Sequence, residues 1–185
     1  MNELELRNKI GKLIKEIIPI KYQIRPMTSH VKKLQTIGEL SKDITFVEIG
    51  ADVCKNAQNI IQHIDVKKLI LIDPYIDDEE RYKLAKNNAN FFSCMTLIRQ
   101  TSKDAVKSFQ DNSVDVVYID GNHKYDYVKE DISLWFPKVK KDGIIGGHDF
   151  RGHALDVILA VTDYVNENNL RHKLQSGGVD WWIRK

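Results

Sequence analysis

From residue 44 to residue 148, short apolar runs alternate with segments of helical periodicity. The runs are Ile44 to Ile49, Lys68 to Asp73, a weaker one over 92–99, Val114 to Asp120 and Gly143 to His148. A strand covered on both faces reads as a nearly continuous apolar run, and its first polar residue appears where it leaves the sheet. Helical patterns fall between the runs, over 56–64, 78–88, 102–109 and 125–136, the last ending before Pro137. Strict strand–helix alternation predicts a parallel sheet with helices on both faces, and right-handed crossovers leave few other topologies. A further helix is predicted over 154–168. The segments 171–175 and 179–184 then flank Ser176-Gly177-Gly178, the glycine pair that a tight hairpin uses. The expected class is α/β, with a mostly parallel seven-stranded sheet closed by a C-terminal antiparallel hairpin.

Residues 1–185 are read as one domain, with a helical cap segment over 1–42 and the α/β core over 43–185. In the cap, Leu6, Ile10, Leu13, Ile14 and Ile17 recur at helical spacing over 4–18, ended by Pro19. A second helix is predicted over 29–40, capped by Ser29. The 42% hydrophobic and 29% charged fractions are those of an ordinary soluble protein. A net charge of +2 gives no electrostatic reason to expect a nucleic acid partner. The basic runs Lys32-Lys33, Lys67-Lys68 and 138–141 are interspersed with acids and read as solvated surface. Cys54 and Cys94 lack metal-finger spacing, so a reduced, cytoplasmic chain is expected. No apolar stretch nears the roughly 18 residues of a membrane span, and no signal-peptide core is visible. A homodimer is compatible with all of this.

Three places carry chemistry. Glu48-Ile49-Gly50-Ala51 ends the first strand, where a glycine lets the backbone turn tightly beside a ligand at a helix N-terminus. Asp73 ends the second strand, the position from which an acid accepts hydrogen bonds from ribose hydroxyls in nucleotide-binding sheets. Together they point to a nucleoside-containing cofactor and leave a nicotinamide dinucleotide and S-adenosylmethionine both open. The loop lacks the full Gly-x-Gly-x-x-Gly fingerprint that approaches a pyrophosphate, which favours S-adenosylmethionine. The third place joins Asp120-Gly121-Asn122-His123 to Gly146-Gly147-His148-Asp149. Both carboxylates would stand at the carboxyl edge of the sheet, where open α/β folds bind ligands. Hard carboxylate oxygens suit Mg²⁺, which lowers the pKa of a bound hydroxyl, and a histidine then accepts the proton near neutral pH. His148 reads as a packed or supporting residue, and zinc is disfavoured by the absence of a cysteine pair. Trp135, Trp181 and Trp182 fall where core packing accounts for them.

The run from Phe46 to Phe150 resembles the class I methyltransferases with their Rossmann-like fold. Within them it is similar to the small metal-dependent O-methyltransferases that include catechol and macrolide-sugar enzymes. The matching pieces are Val47 to Ala51, Leu71-Ile72-Asp73-Pro74, Thr101-Ser102, Ile119 to His123 and Gly143 to Asp149. The resemblance implies that Glu48, Gly50 and Ala51 border the methionine part of S-adenosylmethionine, Asp73 its ribose and Ser102 its adenine, with Asp120 also at the cofactor. It implies that Asp120 and Asp149 bind a divalent cation, Mg²⁺ by the family pattern, and that His123 is the catalytic base. The acceptor would be a small hydroxylated molecule, a sugar-like one being favoured over a catechol because His stands at the base position.

Two departures from the family pattern stand out. Cys54 and Lys55 replace a further glycine at the end of the first loop, where a side chain is expected to narrow the cofactor's approach. Phe150 stands where catechol-type enzymes place an Asn as third metal ligand, leaving His30, Glu39 or water for that role. A degenerate binding module is the alternative from another class, with a dinucleotide enzyme behind it.

Overall fold

The computed structural model describes residues 43–185. The two helices expected over 4–18 and 29–40, the cap segment and the ligand candidates His30 and Glu39 lie outside the described residues.

In chain order the elements are β1 (Ile44–Ile49), α1 (Lys55–His63), β2 (Val66–Ile72), α2 (Glu79–Ala89), β3 (Met95–Ile98), α3 (Ser102–Ala105) and β4 (Val114–Ile119). They continue with α4 (Tyr125–Trp135), β5 (Val139–Gly147), α5 (Leu155–Glu167), β6 (Leu174–Gly177) and β7 (Asp180–Arg184). One seven-stranded sheet has the order β3-β2-β1-β4-β5-β7-β6. Every pairing from β3 to β5 is parallel, and β7 runs antiparallel to both β5 and β6. The expected α/β class, parallel sheet and closing hairpin are all present. Among the described residues no helix is long and apolar enough to cross a membrane.

The apolar runs are explained by coverage on both faces. Val47, Ile49, Val117, Ile119 and Ile145 point to one side, packing with Val128, Ile132 and Trp135 of α4 and Val157, Ala160 and Val161 of α5. Phe46, Leu69, Leu71, Val116 and Ile144 point to the other, against Ala57 and Ile60 of α1 and Ala85 and Ala89 of α2. The three tryptophans are fully buried, as expected. Burial of a side chain that large is among the main favourable terms of a core.

Boundaries differ where local chemistry outweighs pattern. β5 begins at Val139, not at residue 143: Val139 pairs with Val114, the ladder then bulges through Lys140 to Asp142, where Asp142 is left-handed at φ 65°, and Lys140 reaches Asp115 at 2.8 Å. Arg171–Lys173 is a 3₁₀ turn rather than strand, so β6 starts at Leu174. Gly177 pairs with Asp180, which puts the two-residue turn at Gly178-Val179 with Gly178 at φ 65°, one residue later than the glycine pair suggested. The helix expected over 102–109 is one α turn followed by a 3₁₀ turn, Val106–Ser108.

Gly146 in β5 lies opposite Trp182, and a Cβ there would run into the indole ring. Gly146→Ala is therefore expected to lower stability by about 1–3 kcal/mol, the cost of overpacking a filled core. A urea midpoint equal to that of the wild type would contradict this.

Candidate active site

The carboxyl ends of the central strands open onto a cavity of about 730 Å³, a volume usual for small-molecule sites. It lies where strand order reverses between β1 and β4, the switch point at which such sheets hold ligands. Gly50, Asp52, Asp73, Ser102 and Asp120 all contribute to its wall.

The loops after β1 and β4 cross at its floor. Asp120 N donates to Ile49 O at 2.8 Å, and Gly50 N donates to Ile72 O at 2.8 Å. Gly50 takes φ 89°, and any Cβ there would strike the carbonyl of Asp120 and lie 2.7 Å from Gly121 N. Only glycine meets both demands. Asp73 is anchored as well as placed: Oδ2 accepts from Asp52 N at 3.1 Å and Oδ1 from Tyr75 N at 3.1 Å. Each carboxylate oxygen retains acceptor capacity for a ligand in the cavity. Across the wall, Arg81 Nε pairs with Asp52 Oδ1 at 2.6 Å.

Glu48 lies below this floor, on the α1 side of β1. Its Oε1 accepts from Asn56 Nδ2 at 2.9 Å, while Oε2 is buried without a partner. Burial pushes its carboxyl up to about 8, against the Asn56 hydrogen bond and with help from Asp120, Asp52 and Asp73. The folded pKa exceeds the ordinary 4.5, so stability present below pH 4.5 is lost as pH rises toward about 8. The slope is about 1.4 kcal/mol per pH unit for one proton. Glu48→Gln should flatten that dependence in urea unfolding between about pH 5 and about pH 8; parallel profiles for both proteins would contradict it.

Ala51 is buried in the core and is not part of the cavity wall. Cys54 corrects an expectation. Its backbone is left-handed (φ 62°), and its thiol is buried among α2 residues, with Sγ donating to Ala85 O at 3.5 Å. The side chain that was expected to narrow the cavity is turned away from it.

At the far end, Trp135 Nε1 donates to Ser102 Oγ at 2.7 Å, and Ser102 in turn bonds the carboxyl of Asp131. Burial pushes Asp131 up to about 6, opposed by the Ser102 bond and assisted by Glu130. Sequence reasoning missed Asp131, although it falls on the apolar stripe of α4 with Val128, Ile132 and Trp135. An acid on a buried stripe was the available signal. Ile76 and Tyr127 complete the rim with apolar surface, 73% and 53% exposed.

Asp120 links this cavity to a charged cluster. Its Oδ1 is 3.3 Å from His123 Nε2, and His123 Nδ1 is 3.4 Å from Asp149 Oδ2. The imidazole is thus clasped by the two carboxylates that end β4 and β5. The hydrogen bond to Asp120 raises its pKa; burial opposes this, the Asp120 and Asp149 charges reinforce it, and Arg151 works against it. His148 Nδ1 is 3.3 Å from Asp149 Oδ1 and supports the cluster from behind. Arg151 Nη2 lies 2.6 Å from the same oxygen. Burial acts to raise the Asp149 pKa, but His148, His123 and Arg151 together hold it below the ordinary value.

The residues do not fit the expected divalent cation as they stand. His123 fills the space between the carboxylates, Arg151 occupies Asp149, and Phe150 packs on the core instead of offering an oxygen. Among the described residues no group of three or more His, Cys, Asp or Glu side chains is arranged to hold a metal ion.

Comparison with known proteins places these features in context. A family model described as a methyltransferase domain matches residues 45–150, more than half of the chain. An uncharacterised protein of Acanthamoeba polyphaga mimivirus is 30% identical over 118 residues, 60% of this chain and 53% of that one, so the match spans about half of the relative's length. A Streptococcus mutans protein solved in complex with SAH superposes with a TM-score of 0.65 at 12% identity, over 88% of this chain and 99% of that one. The O-methyltransferase NovP superposes with a TM-score of 0.64 at 14% identity, over 92% and 87%.

Proposed function

Because the chain belongs to the methyltransferase-domain family, we propose that it is an S-adenosylmethionine-dependent methyltransferase acting on a hydroxyl of a small molecule. The observation that carries this reading is that Asp120 belongs both to the wall of the switch-point cavity, which Asp73 borders, and to the cluster with His123 and Asp149. Bound there, S-adenosylmethionine supplies an electrophilic methyl group on a sulfonium.

The chain's residues divide the remaining work. Asp73 takes the ribose hydroxyls, a role that its fixed carboxylate suits. Glu48, with one buried oxygen unsatisfied, offers an acceptor toward the methionine end next to Gly50, where Ala51 supports the loop. Ser102 and Asp131 serve the base end, Asp131 as an acceptor for an exocyclic amine. Asp120 lies between the cofactor space and the acceptor. His123 takes the acceptor proton at Nε2 once the acceptor hydroxyl replaces Asp120 at that nitrogen, while Nδ1–H keeps its bond to Asp149 and holds the ring. Displacement at a methyl group is in line, so positioning is the larger part of the task. A hydroxylated, sugar-like metabolite remains the favoured acceptor class. The binding-module alternative loses its main support with Cys54 turned into the core.

Asp73→Ala should weaken S-adenosylhomocysteine binding by about tenfold or more, as expected for loss of a charge-assisted hydrogen bond. Equal affinities would overturn the ribose assignment. The acceptor class is tested with tritium-labelled S-adenosylmethionine and a panel of sugars, phenols and amines. Label on a hydroxyl oxygen is expected, and label confined to amines would contradict the O-methyl assignment.

A further inference from the structure

We propose that Arg151 is the resident cation of the transfer site, neutralising Asp149 and facing the acceptor oxygen, so that the site works without a divalent metal. The proposal deepens the methyl-transfer reading and rests on it for the acceptor's role.

Three observations carry it. The guanidinium is committed at one edge only: Nη2 lies 2.6 Å from Asp149 Oδ1, whereas Nε is buried without an acceptor. The side chain as a whole is nonetheless 40% exposed, which leaves Nη1, on the edge away from the buried Nε, for an incoming group. The backbone is bent to produce this pair. Asp149 is left-handed at φ 58°, Arg151 N donates to Asp149 O at 2.8 Å, and Phe150 N is held by Val179 O at 2.7 Å. A left-handed aspartate carries a conformational cost that the surrounding hydrogen bonds must hold in place. The outcome is a side chain folded back on the carboxylate two residues before it.

The charges agree with that geometry. Asp120 and Asp149 bring two negative charges to the end of the sheet, with His123 between them. Arginine keeps its proton at any working pH, so a divalent ion binding Asp149 would have to displace a permanent cation or sit beside it. The free edge of the guanidinium instead presents N–H donors, suited to an oxygen on which negative charge develops as its proton leaves for His123.

The test uses the full chain and Mn²⁺, followed by the electron paramagnetic resonance of the free ion. Wild type is expected to bind no stoichiometric Mn²⁺ below the millimolar range. Arg151→Gln, which removes the permanent cation from Asp149, should bind it at least about tenfold more tightly. Stoichiometric binding by wild type that is lost in Asp149→Asn would overturn the proposal. So would an Arg151→Gln protein that melts like wild type and still ignores Mn²⁺. S-adenosylhomocysteine calorimetry on the same samples keeps the two readings apart: loss of that binding in wild type speaks against methyl transfer, whereas the Mn²⁺ result judges Arg151 alone.

Discussion

His123→Ala is expected to lower methyl transfer by about 10²–10⁴-fold, the usual contribution of a positioned general base. Affinity for S-adenosylhomocysteine should change by no more than about twofold. The reason is positional. His123 is outside the wall of the switch-point cavity, and Asp120 stands between the two. Both ring nitrogens are oriented by carboxylates at 3.3 and 3.4 Å, so the ring is held in place before any acceptor arrives. Such preorganisation matters for a base because a misplaced proton acceptor forfeits most of its rate contribution. Steady-state rates at saturating cofactor, paired with calorimetry, separate the two effects. Undiminished turnover would remove the base assignment, and a parallel collapse of binding would move His123 into the cofactor site.

Gly50→Ala should be more damaging to the molecule as a whole. The added methyl meets the backbone of Asp120 and Gly121, which cannot swing aside as a flexible side chain does. The residue would also keep a left-handed φ of 89°. Together these predict a stability loss of about 2–4 kcal/mol. Because the collision is with the loop that carries Asp120, S-adenosylhomocysteine binding should be lost even at temperatures where the variant stays folded. Urea unfolding and calorimetry on the same preparation check both halves. A variant with wild-type midpoint and affinity would mean that the two loops do not cross as described.

The fold was legible because its strands are covered on both faces. Phe46, Val47, Val116 and Val117 are all fully buried, and such strands leave continuous apolar runs that periodicity detects. The turn at Gly178-Val179 was displaced by one residue because Gly177 serves as a strand residue opposite Asp180, a choice that two adjacent glycines leave undecided. The placement of residues at strand ends was equally readable: Asp73 and Asp120 reach the cavity, and Asp120, His123 and Asp149 meet at its edge. The direction of a side chain within a loop was not. Cys54 faces Ala85 because its backbone is left-handed, a conformation that composition does not announce for a cysteine. Arg151 escaped notice for a similar reason, since a tight turn brings it back onto Asp149. Asp131 was different, because an acid on the inner stripe of an amphipathic helix is visible before any coordinates.

The most direct single measurement is calorimetric titration of the full chain with S-adenosylhomocysteine, with and without Mg²⁺, and with NADH as the control ligand. Micromolar binding of S-adenosylhomocysteine, unchanged by Mg²⁺ and absent for NADH, is the expected result. No binding of S-adenosylhomocysteine under either condition by a folded chain would contradict the claim that this cavity holds the methyl donor.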